Sequence, residues 1–288
     1  MERIFLVGAA LLTFACSAGG GGSSLNGSSG SGAASGTGTG GSTTVATVGA
    51  GGGSGGQGDL VAEVYGHSAT ELYKLDPLTH EVTVVGPFNG CSQVIDIAID
   101  KDHNMYGTTD TGLYAINRMT AACTFIASGS YPNSLSFVPA GTVDPNEEAL
   151  VGYFGSDYVR IDKQTGNVTN IGSVTSGYAS SGDIVSVKGG STYVTVKSFE
   201  CDDCILEVNP STGDLVQELG PVGAYTDVFG LTFWGGKAYG FSDDGELFEV
   251  TFMGGNVTTT IIPIPNAPQT LSFWGAGSST SAPVDPVE

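Results

Sequence analysis

Short apolar runs of five to seven residues, rich in Val, Ile, Thr, Tyr and Phe, recur along the chain from about residue 59. Gly, Asp, Asn and Pro separate them, and no long stretch has the periodicity of an amphipathic helix. Runs of this length and composition, bounded by turn residues, are typical of β-strands. The pattern therefore predicts an all-β domain over residues 59–277.

Many of these strands form pairs that repeat. Each pair is a strand, a turn related to Asp-Pro-x-Thr-Gly and a second strand. In such a turn Pro presets φ, Asp offers a side-chain hydrogen-bond acceptor and Gly adopts a positive φ. A hairpin requires all three. The five copies begin 41, 45, 47 and 42 residues apart, at Leu72, Leu113, Tyr158, Ile205 and Leu247.

A second set of strands lies between the hairpins. Each member has Ile or Leu at its second position, and the five begin at Asp96, Ser134, Asp183, Gly230 and Thr270. Each of the first four is followed by one further strand before the next hairpin. The repeating unit is therefore four strands in about 45 residues, which is typical of a propeller blade.

The strand count also predicts how the ring closes. The first hairpin has no inner strand of its own, whereas the chain ends with a spare one, Thr270–Trp274. We expect this strand to become the innermost strand of the first blade, with Leu60–Gly66 as its second strand. A five-bladed β-propeller closed in this way has no open edge. Residues 278–288 have the composition of a flexible tail.

Three segments resemble the blade signatures of five-repeat propeller lipoproteins from myxobacteria and related bacteria. They are "SSGDIVSVKGG", "VFGLTFWGGKAYGFSDDGELF" and "LSFWGAGSST". More loosely, the hairpins are similar to NHL and YVTN propeller repeats. The resemblance extends from residue 59 to about residue 280. It implies the fold and carries no activity with it.

The N-terminus indicates export. Arg3 gives a positive start, and the apolar core Ile4–Leu12 is too short to span a membrane. Ala15 before Cys16 resembles the lipobox of bacterial lipoproteins, which implies a signal peptide over residues 1–15 and a lipid on Cys16. Thr13 departs from that pattern, so an ordinary secretory signal is the alternative.

Residues 16–58 are predicted to be a disordered tether. The segment 17–58 has 18 glycines in 42 residues and no charged side chain. Such a chain buries too little apolar surface to offset its ordering entropy, and its r.m.s. reach is roughly 35 Å. Ser17 stands where Asp would by family analogy retain a lipoprotein at the inner membrane. We therefore expect an outer-membrane lipoprotein that faces the periplasm or the cell surface.

The predicted propeller is strongly acidic. All charged residues except Glu2 and Arg3 lie beyond residue 58, which leaves 28 acids against 8 bases and a net charge of −20. Nucleic acid and anionic lipid are poor partners for such a surface, because phosphate binding requires clustered Lys and Arg, and we expect no nucleic-acid partner. The expected partners are the membrane, through the N-terminal lipid, and a glycan, peptide or protein. We expect a monomer.

The four cysteines after Cys16 suit an oxidising compartment, because they are even in number. Three pairings are possible in principle. We favour Cys201 with Cys204, which lie within "CDDC", and Cys91 with Cys123. A redox or zinc site at the "CDDC" segment is the alternative.

The candidate ligand-binding residues are those at the start of the inner strands. Asp96 and Asp183 occupy equivalent positions in two blades, and Ser134, Gly230 and Thr270 occupy the others. Such a ring would line one mouth of the central channel, where propellers commonly bind ligands, and Asp227 would reach the same mouth. The alternative is that these side chains cap strand ends and accept hydrogen bonds from loop amides.

Two function classes follow. The first is a binding or scaffold module, and the alternative is a hydrolase or lactonase that uses carboxylates at the channel mouth, with or without a cation. No catalytic residue is predicted, because no histidine lies near the ring in sequence. No cofactor or metal site is expected, although weak Ca²⁺ binding at an acidic mouth stays open. Asp100 opens a segment that resembles a calcium loop, but Met105 stands where that loop needs Gly.

Overall fold

A computed structural model of the chain describes residues 63–175, 177–253 and 256–287. The predicted signal peptide, the lipidation site Cys16 and the predicted tether lie outside the described residues. Within them the structure is all-β, and no helix is long and apolar enough to cross a membrane.

Twenty strands follow one another along the described chain. They are β1 (Val64–His67), β2 (Glu71–Leu75), β3 (Val82–Pro87), β4 (Asp96–Ile99), β5 (Met105–Thr108), β6 (Gly112–Ile116), β7 (Cys123–Ser128), β8 (Ser136–Val138), β9 (Ala149–Phe154), β10 (Asp157–Ile161), β11 (Val168–Ser173), β12 (Ala179–Ser186), β13 (Thr192–Ser198), β14 (Cys201–Val208), β15 (Leu215–Pro221), β16 (Val228–Trp234), β17 (Lys237–Ser242), β18 (Leu247–Met253), β19 (Asn256–Ile262) and β20 (Gly275–Ser278).

The strands form five antiparallel sheets of four strands each, which are the five blades of the predicted propeller. Blade one has the order β20-β1-β2-β3 from the axis outward. Blades two to five are β4 to β7, β8 to β11, β12 to β15 and β16 to β19, each running outward in chain order. The five-bladed fold predicted from the sequence is confirmed.

The repeated hairpin turns owe their shape to the residues that the sequence pattern selected. In the first turn, Asp76 Oδ1 accepts hydrogen bonds from the amides of Leu78 at 2.8 Å and Thr79 at 3.2 Å. Equivalent side-chain oxygens accept an amide two residues on in three further turns, at Asn117, Asp162 and Asn209. The later turn position with positive φ is held by His80, Ala121, Gly166 and Gly213.

The core lies between the faces of neighbouring blades. Its largest buried side chains are aromatic, and several of them meet edge to face, which is a favoured arrangement for aromatic pairs. Phe273 is 1% exposed and packs against Tyr73 of blade one and Phe241 of blade five, with ring centroids 6.0 and 5.0 Å apart. This contact joins the first and last blades.

The C-terminal strand closes the ring, but it is not the segment that the sequence pattern predicted. The closing strand is β20, whereas Thr270–Trp274 precedes it and forms no strand. β20 pairs antiparallel with β1, with Gly275 opposite His67 and Ser278 opposite Val64. The apolar pattern of Thr270–Trp274 misled the prediction, because Phe273 packs between two blades instead of lying in a ladder.

Small residues form the closing strand because the axis is crowded. A Cβ atom on Gly275 would lie 2.4 Å from His67 Nε2 and 2.5 Å from Asp96 Oδ1, which is closer than any real side chain tolerates. The sequence of β20 is Gly-Ala-Gly-Ser, which lacks the β-branched and aromatic residues by which strands are recognised.

The propeller continues beyond residue 277, into the predicted tail. Ser279 forms a β-bridge with Ile99 of blade two, and Thr280 O accepts a hydrogen bond from Lys188 N of blade four at 2.9 Å. Pro283 O accepts a hydrogen bond from Gly236 N of blade five at 3.3 Å. The segment after β20 therefore crosses the far ends of the inner strands and covers the axis on that side.

Both predicted disulfides are present. Cys91 bonds to Cys123 and joins the loop before β4 to the outer strand β7 of blade two. Cys201 bonds to Cys204 within the start of β14. Since each of the four cysteines has a disulfide partner, none is a free thiolate for the alternative zinc site.

Candidate functional site

The direction of the inner strands defines two faces of the propeller. The loops that lead into the inner strands and the hairpins between the second and third strands lie on one face, which we call the mouth face. Its described loops are 68–70, 88–95, 109–111, 129–135, 155–156, 174–175, 177–178, 199–200, 222–227, 243–246 and 263–274. The C-terminal segment covers the axis at the opposite face.

Five equivalent positions surround the axis just below the mouth face. They are occupied by two carboxyls, a hydroxyl and two glycines, at Asp96, Ser134, Asp183, Gly230 and Gly275. The sequence analysis placed Thr270 in this ring. That placement is wrong, because Thr270 is exposed in the loop before β20 and Gly275 takes its position.

Asp96 and Asp183 are each 0% exposed, so neither borders an open channel. Asp96 Oδ1 accepts a hydrogen bond from its neighbour Ile97 N at 2.8 Å, and Oδ2 accepts one from Leu135 N of blade three at 2.6 Å. The Asp96 carboxyl therefore ties blade two to blade three.

Asp183 repeats this arrangement two blades further on. Its Oδ1 accepts a hydrogen bond from Ile184 N at 2.6 Å, and Oδ2 accepts one from Leu231 N of blade five at 2.8 Å. The amide of Ala276 in blade one also acts on this carboxyl and lowers its pKa. Together the two carboxyls interact with one backbone amide from each of the five blades.

The two carboxyls also interact with each other. Burial raises the pKa of both Asp96 and Asp183 well above the ordinary value. The charge on Asp183 and a hydrogen bond to it raise the pKa of Asp96 further, whereas the same bond lowers that of Asp183. Two facing buried carboxyls cannot both ionise without strong repulsion, so the pair shares a proton.

His67 completes this buried polar centre. Its Nδ1 lies 2.9 Å from Ser68 O, which assigns the proton of the neutral ring to Nδ1. Its Nε2 lies 3.9 Å from Asp96 Oδ1, too far for a hydrogen bond, and has no partner among the described residues. Complete burial lowers the pKa of His67 to about 4, so the ring is neutral at physiological pH.

The other predicted site residues have structural surroundings of their own. Ser134 is buried, and its Oγ accepts a hydrogen bond from Tyr153 N at 2.8 Å. Asp227 is exposed on a mouth-face loop, where its amide donates to Asp203 Oδ2 at 3.0 Å. The ligand-binding role of the predicted set stays a prediction.

A pocket of about 350 Å³ opens on the mouth face above the carboxyl pair. It is lined by Ile95, Asp110, Asn133, Ser181, Gly182, Phe229 and Trp274. Five of these residues directly precede the five ring positions, so every blade contributes to the wall. Trp274 is 37% exposed, which makes its ring accessible from solvent. We call this the axial pocket.

The axial pocket differs from three other pockets of the described residues. A pocket of about 550 Å³ adjoins it at Asp110 and runs beside Cys91 and Tyr114 within blade two. Two more pockets, of about 120 and 390 Å³, lie towards the opposite face. Each of those two is lined by neighbouring strands and turns of one blade only, as expected for a surface groove.

Sequence reasoning missed the residues that line the axial pocket. It selected the ring positions because carboxylates suggest chemistry, but the accessible side chains lie one residue earlier. Ile95 and Phe229 were visible in the repeat alignment as the residues before those positions. Trp274 was hidden by the register error in the closing strand, which placed it at the end of a strand.

The described residues contain no group of three or more His, Cys, Asp or Glu side chains that could hold a metal ion. The segment that begins at Asp100 is a turn, as the hydrogen bonds to the Asp100 carboxylate show. Asp100 Oδ1 accepts hydrogen bonds from the amides of Asp102 at 3.0 Å and Asn104 at 2.8 Å. Weak Ca²⁺ binding at the acidic mouth stays a prediction.

No protein-family model matches the sequence, and no curated protein sequence matches it. The fold is similar to a chain in the crystal structure of a nidogen/laminin complex, with 9% identity, coverage of 75% of this chain and 81% of that chain, and a TM-score of 0.48.

Two further solved structures have comparable likeness. One is virginiamycin B lyase from Staphylococcus aureus, with 15% identity, coverage of 72% of each chain and a TM-score of 0.39. The other is a symmetrical protein from work on de novo evolutionary emergence, with 15% identity, coverage of 74% of this chain and 92% of that chain, and a TM-score of 0.44. These likenesses concern the fold and not the function of this chain.

Proposed function

We propose that the chain is a binding module whose axial pocket on the mouth face holds a small ligand or the side chain of a larger one. One observation carries this proposal: all five blades supply a residue to one solvent-open pocket with aromatic side chains. A concave, largely apolar site with a few polar groups is the usual form of a ligand site. The polar groups here are Asp110, Asn133 and Ser181.

The burial of the carboxyl pair supports binding over hydrolysis. A general acid or base must reach the substrate within hydrogen-bond distance. Asp96 and Asp183 are 0% exposed, and all four of their carboxyl oxygens already accept backbone amides. We assign them the task of holding the five blades together beneath the pocket.

A screen of small-molecule fragments by ligand-observed NMR tests the proposal. We expect hits whose binding is lost in Phe229→Ala and in Trp274→Ala and is retained in Phe199→Ala. Phe199 is a matched control, because it is fully exposed on the same face and lies outside the pocket. Circular dichroism confirms that each variant is folded. Hits that bind all three variants equally would contradict the proposal.

We also propose that the binding module is held at the outer membrane by a lipid on Cys16, facing the periplasm or the cell surface. The support is the resemblance of residues 1–16 to a lipoprotein signal and the uncharged segment that follows. Labelling of cells with a fatty acid tests this: wild type should take up label and fractionate with membranes. Cys16→Ala should do neither, and an unlabelled wild type would contradict the lipid anchor.

A further inference from the structure

Basic residues are unevenly distributed between the loops of the two faces of the propeller. The described residues of the mouth-face loops include six acids and no Lys, Arg or His: Asp110, Glu200, Asp227, Asp243, Asp244 and Glu246. The loops of the opposite face hold four bases, Lys101, Arg118, Lys163 and Lys188, together with at least ten acids, so the mouth face is distinguished by its lack of bases and not by its number of acids. The field over the mouth face is therefore negative, which repels anions and attracts cations.

The surroundings of the axial pocket continue this pattern. Asp110 is exposed and is the charged side chain of the pocket lining. Behind the wall, the Asp203 carboxyl is 5% exposed, and its Oδ1, like the Ser181 hydroxyl, has no hydrogen-bond partner among the described residues. Lys197 lies near enough to act on Asp203, but it belongs to β13 and does not line the pocket.

The apolar lining suits one kind of cation in particular. Trp274 and Phe229 present aromatic rings, and Ile95 adds an aliphatic surface. The face of an aromatic ring attracts a positive charge, and Trp does so most strongly. A cation whose charge is spread over methyl groups gains from both features, because it leaves water more easily than a bare ammonium does.

Resting on the proposed function of the axial pocket, we propose that its ligand is an organic cation that carries a quaternary or methylated ammonium group. The methylated head contacts Trp274 and Phe229, and Asp110 supplies the counter-charge at the rim. The acidic mouth-face loops raise the local concentration of such a cation before it enters the pocket.

A pair of isosteric probes tests the charge requirement. Choline carries a trimethylammonium head, and 3,3-dimethyl-1-butanol has the same shape without the charge. We expect choline to bind at the axial pocket at least about fivefold more tightly than the alcohol. Its affinity should fall as salt rises towards roughly 1 M, where charges are screened beyond about 3 Å.

Variants identify the groups responsible. Asp110→Asn should weaken choline by about threefold to fivefold and leave the affinity of the alcohol unchanged. Asp285→Asn is the matched control, because Asp285 is an exposed acid in the C-terminal segment on the opposite face. That variant should bind choline as wild type does.

The outcomes separate this inference from the proposed function. Equal affinity for choline and the alcohol would overturn the cation assignment and support an uncharged ligand in the same pocket. Fragment hits at Trp274 together with no choline binding would also overturn it. If neither the probes nor any fragment binds at Trp274, the proposed function falls with it.

Discussion

At the scale of single residues, Asp96 and Asp183 show how a predicted site can become a structural centre. The sequence marked both as equivalent residues near the start of inner strands; the equivalence is right, although β12 begins four residues before Asp183. What it could not supply is their burial, or the amides of Leu135 and Leu231 that reach them from neighbouring blades. Those contacts depend on blade packing, which no local pattern encodes.

Substitution of Asp96 tests its structural role. Asp96→Ala leaves the amides of Ile97 and Leu135 buried without an acceptor, so the free energy of unfolding should fall by about 1–3 kcal/mol for each. Asp96→Asn keeps one acceptor oxygen and places an amide donor towards Asp183. It should therefore lower the free energy of unfolding by less than Asp96→Ala does. Urea denaturation measures both, and equal stability of wild type and Asp96→Ala would contradict the role.

The pH dependence of the pair has a definite sign. Both folded-state pKa values are raised, so the stabilising contribution is complete below the ordinary carboxyl pKa and is lost as pH rises through the folded values. Urea denaturation repeated across pH should therefore show a smaller loss of unfolding free energy with rising pH in Asp96→Asn than in wild type. Asp227→Asn, which alters an exposed carboxyl on the same face, should follow wild type.

His67 predicts the opposite dependence on the acid side. Its folded pKa is lowered to about 4 from 6.5, so the unfolded chain binds more protons between these values. Stability should fall by up to about 3 kcal/mol as pH falls through this window. His67→Asn, measured by denaturation across pH, should have a shallower slope there. His80→Asn is the control, and an equally shallow slope in that variant would contradict the assignment.

At the scale of elements, the hairpins were predictable and the closing strand was not. The turns recur with side-chain acceptors and positive φ, and these are local requirements that leave a clear mark in sequence. β20 has no such mark, because crowding by His67 and Asp96 leaves room only for small residues near the axis. The register error followed directly from preferring the apolar segment Thr270–Trp274.

Truncation separates the observed C-terminal boundary from the predicted one. A chain that ends at Gly277 loses Ser278 Oγ, which accepts Phe233 N at 3.1 Å, and loses the Thr280 hydroxyl that donates to buried Glu148. Its melting temperature should fall by roughly 5–10 °C. A chain that ends at Val284 loses only residues beyond these contacts and should melt within about 2 °C of full length.

Calorimetry of the full-length and truncated chains gives the comparison. If the chain ending at Gly277 melted with full length, the contacts of the segment 278–283 would contribute nothing to stability. The propeller would then end where the sequence analysis placed its boundary. If both truncated chains melted early, the stabilising contacts would lie beyond Val284 instead.

At the scale of the whole molecule, the fold gives each face a different task. The C-terminal segment covers one end of the axis, and the axial pocket opens at the other, above the buried carboxyls. Composition gives the net charge of −20 but not the lack of Lys, Arg and His in the described mouth-face loops, because strand direction decides which loops share a face. The pocket was equally hidden, since its wall is assembled from five separate repeats.

The two tryptophans of the chain allow the central claim, that the axial pocket is the ligand site, to be measured directly. Trp274 lines that pocket, whereas Trp234 is 6% exposed at the far end of β16 and serves as an internal control. Their indole N–H groups give separate signals in ¹⁵N-correlated NMR spectra, assigned with Trp274→Phe. Titration with the fragment hits should shift the Trp274 signal and leave Trp234 in place. Hits that leave the Trp274 signal unmoved would contradict the account.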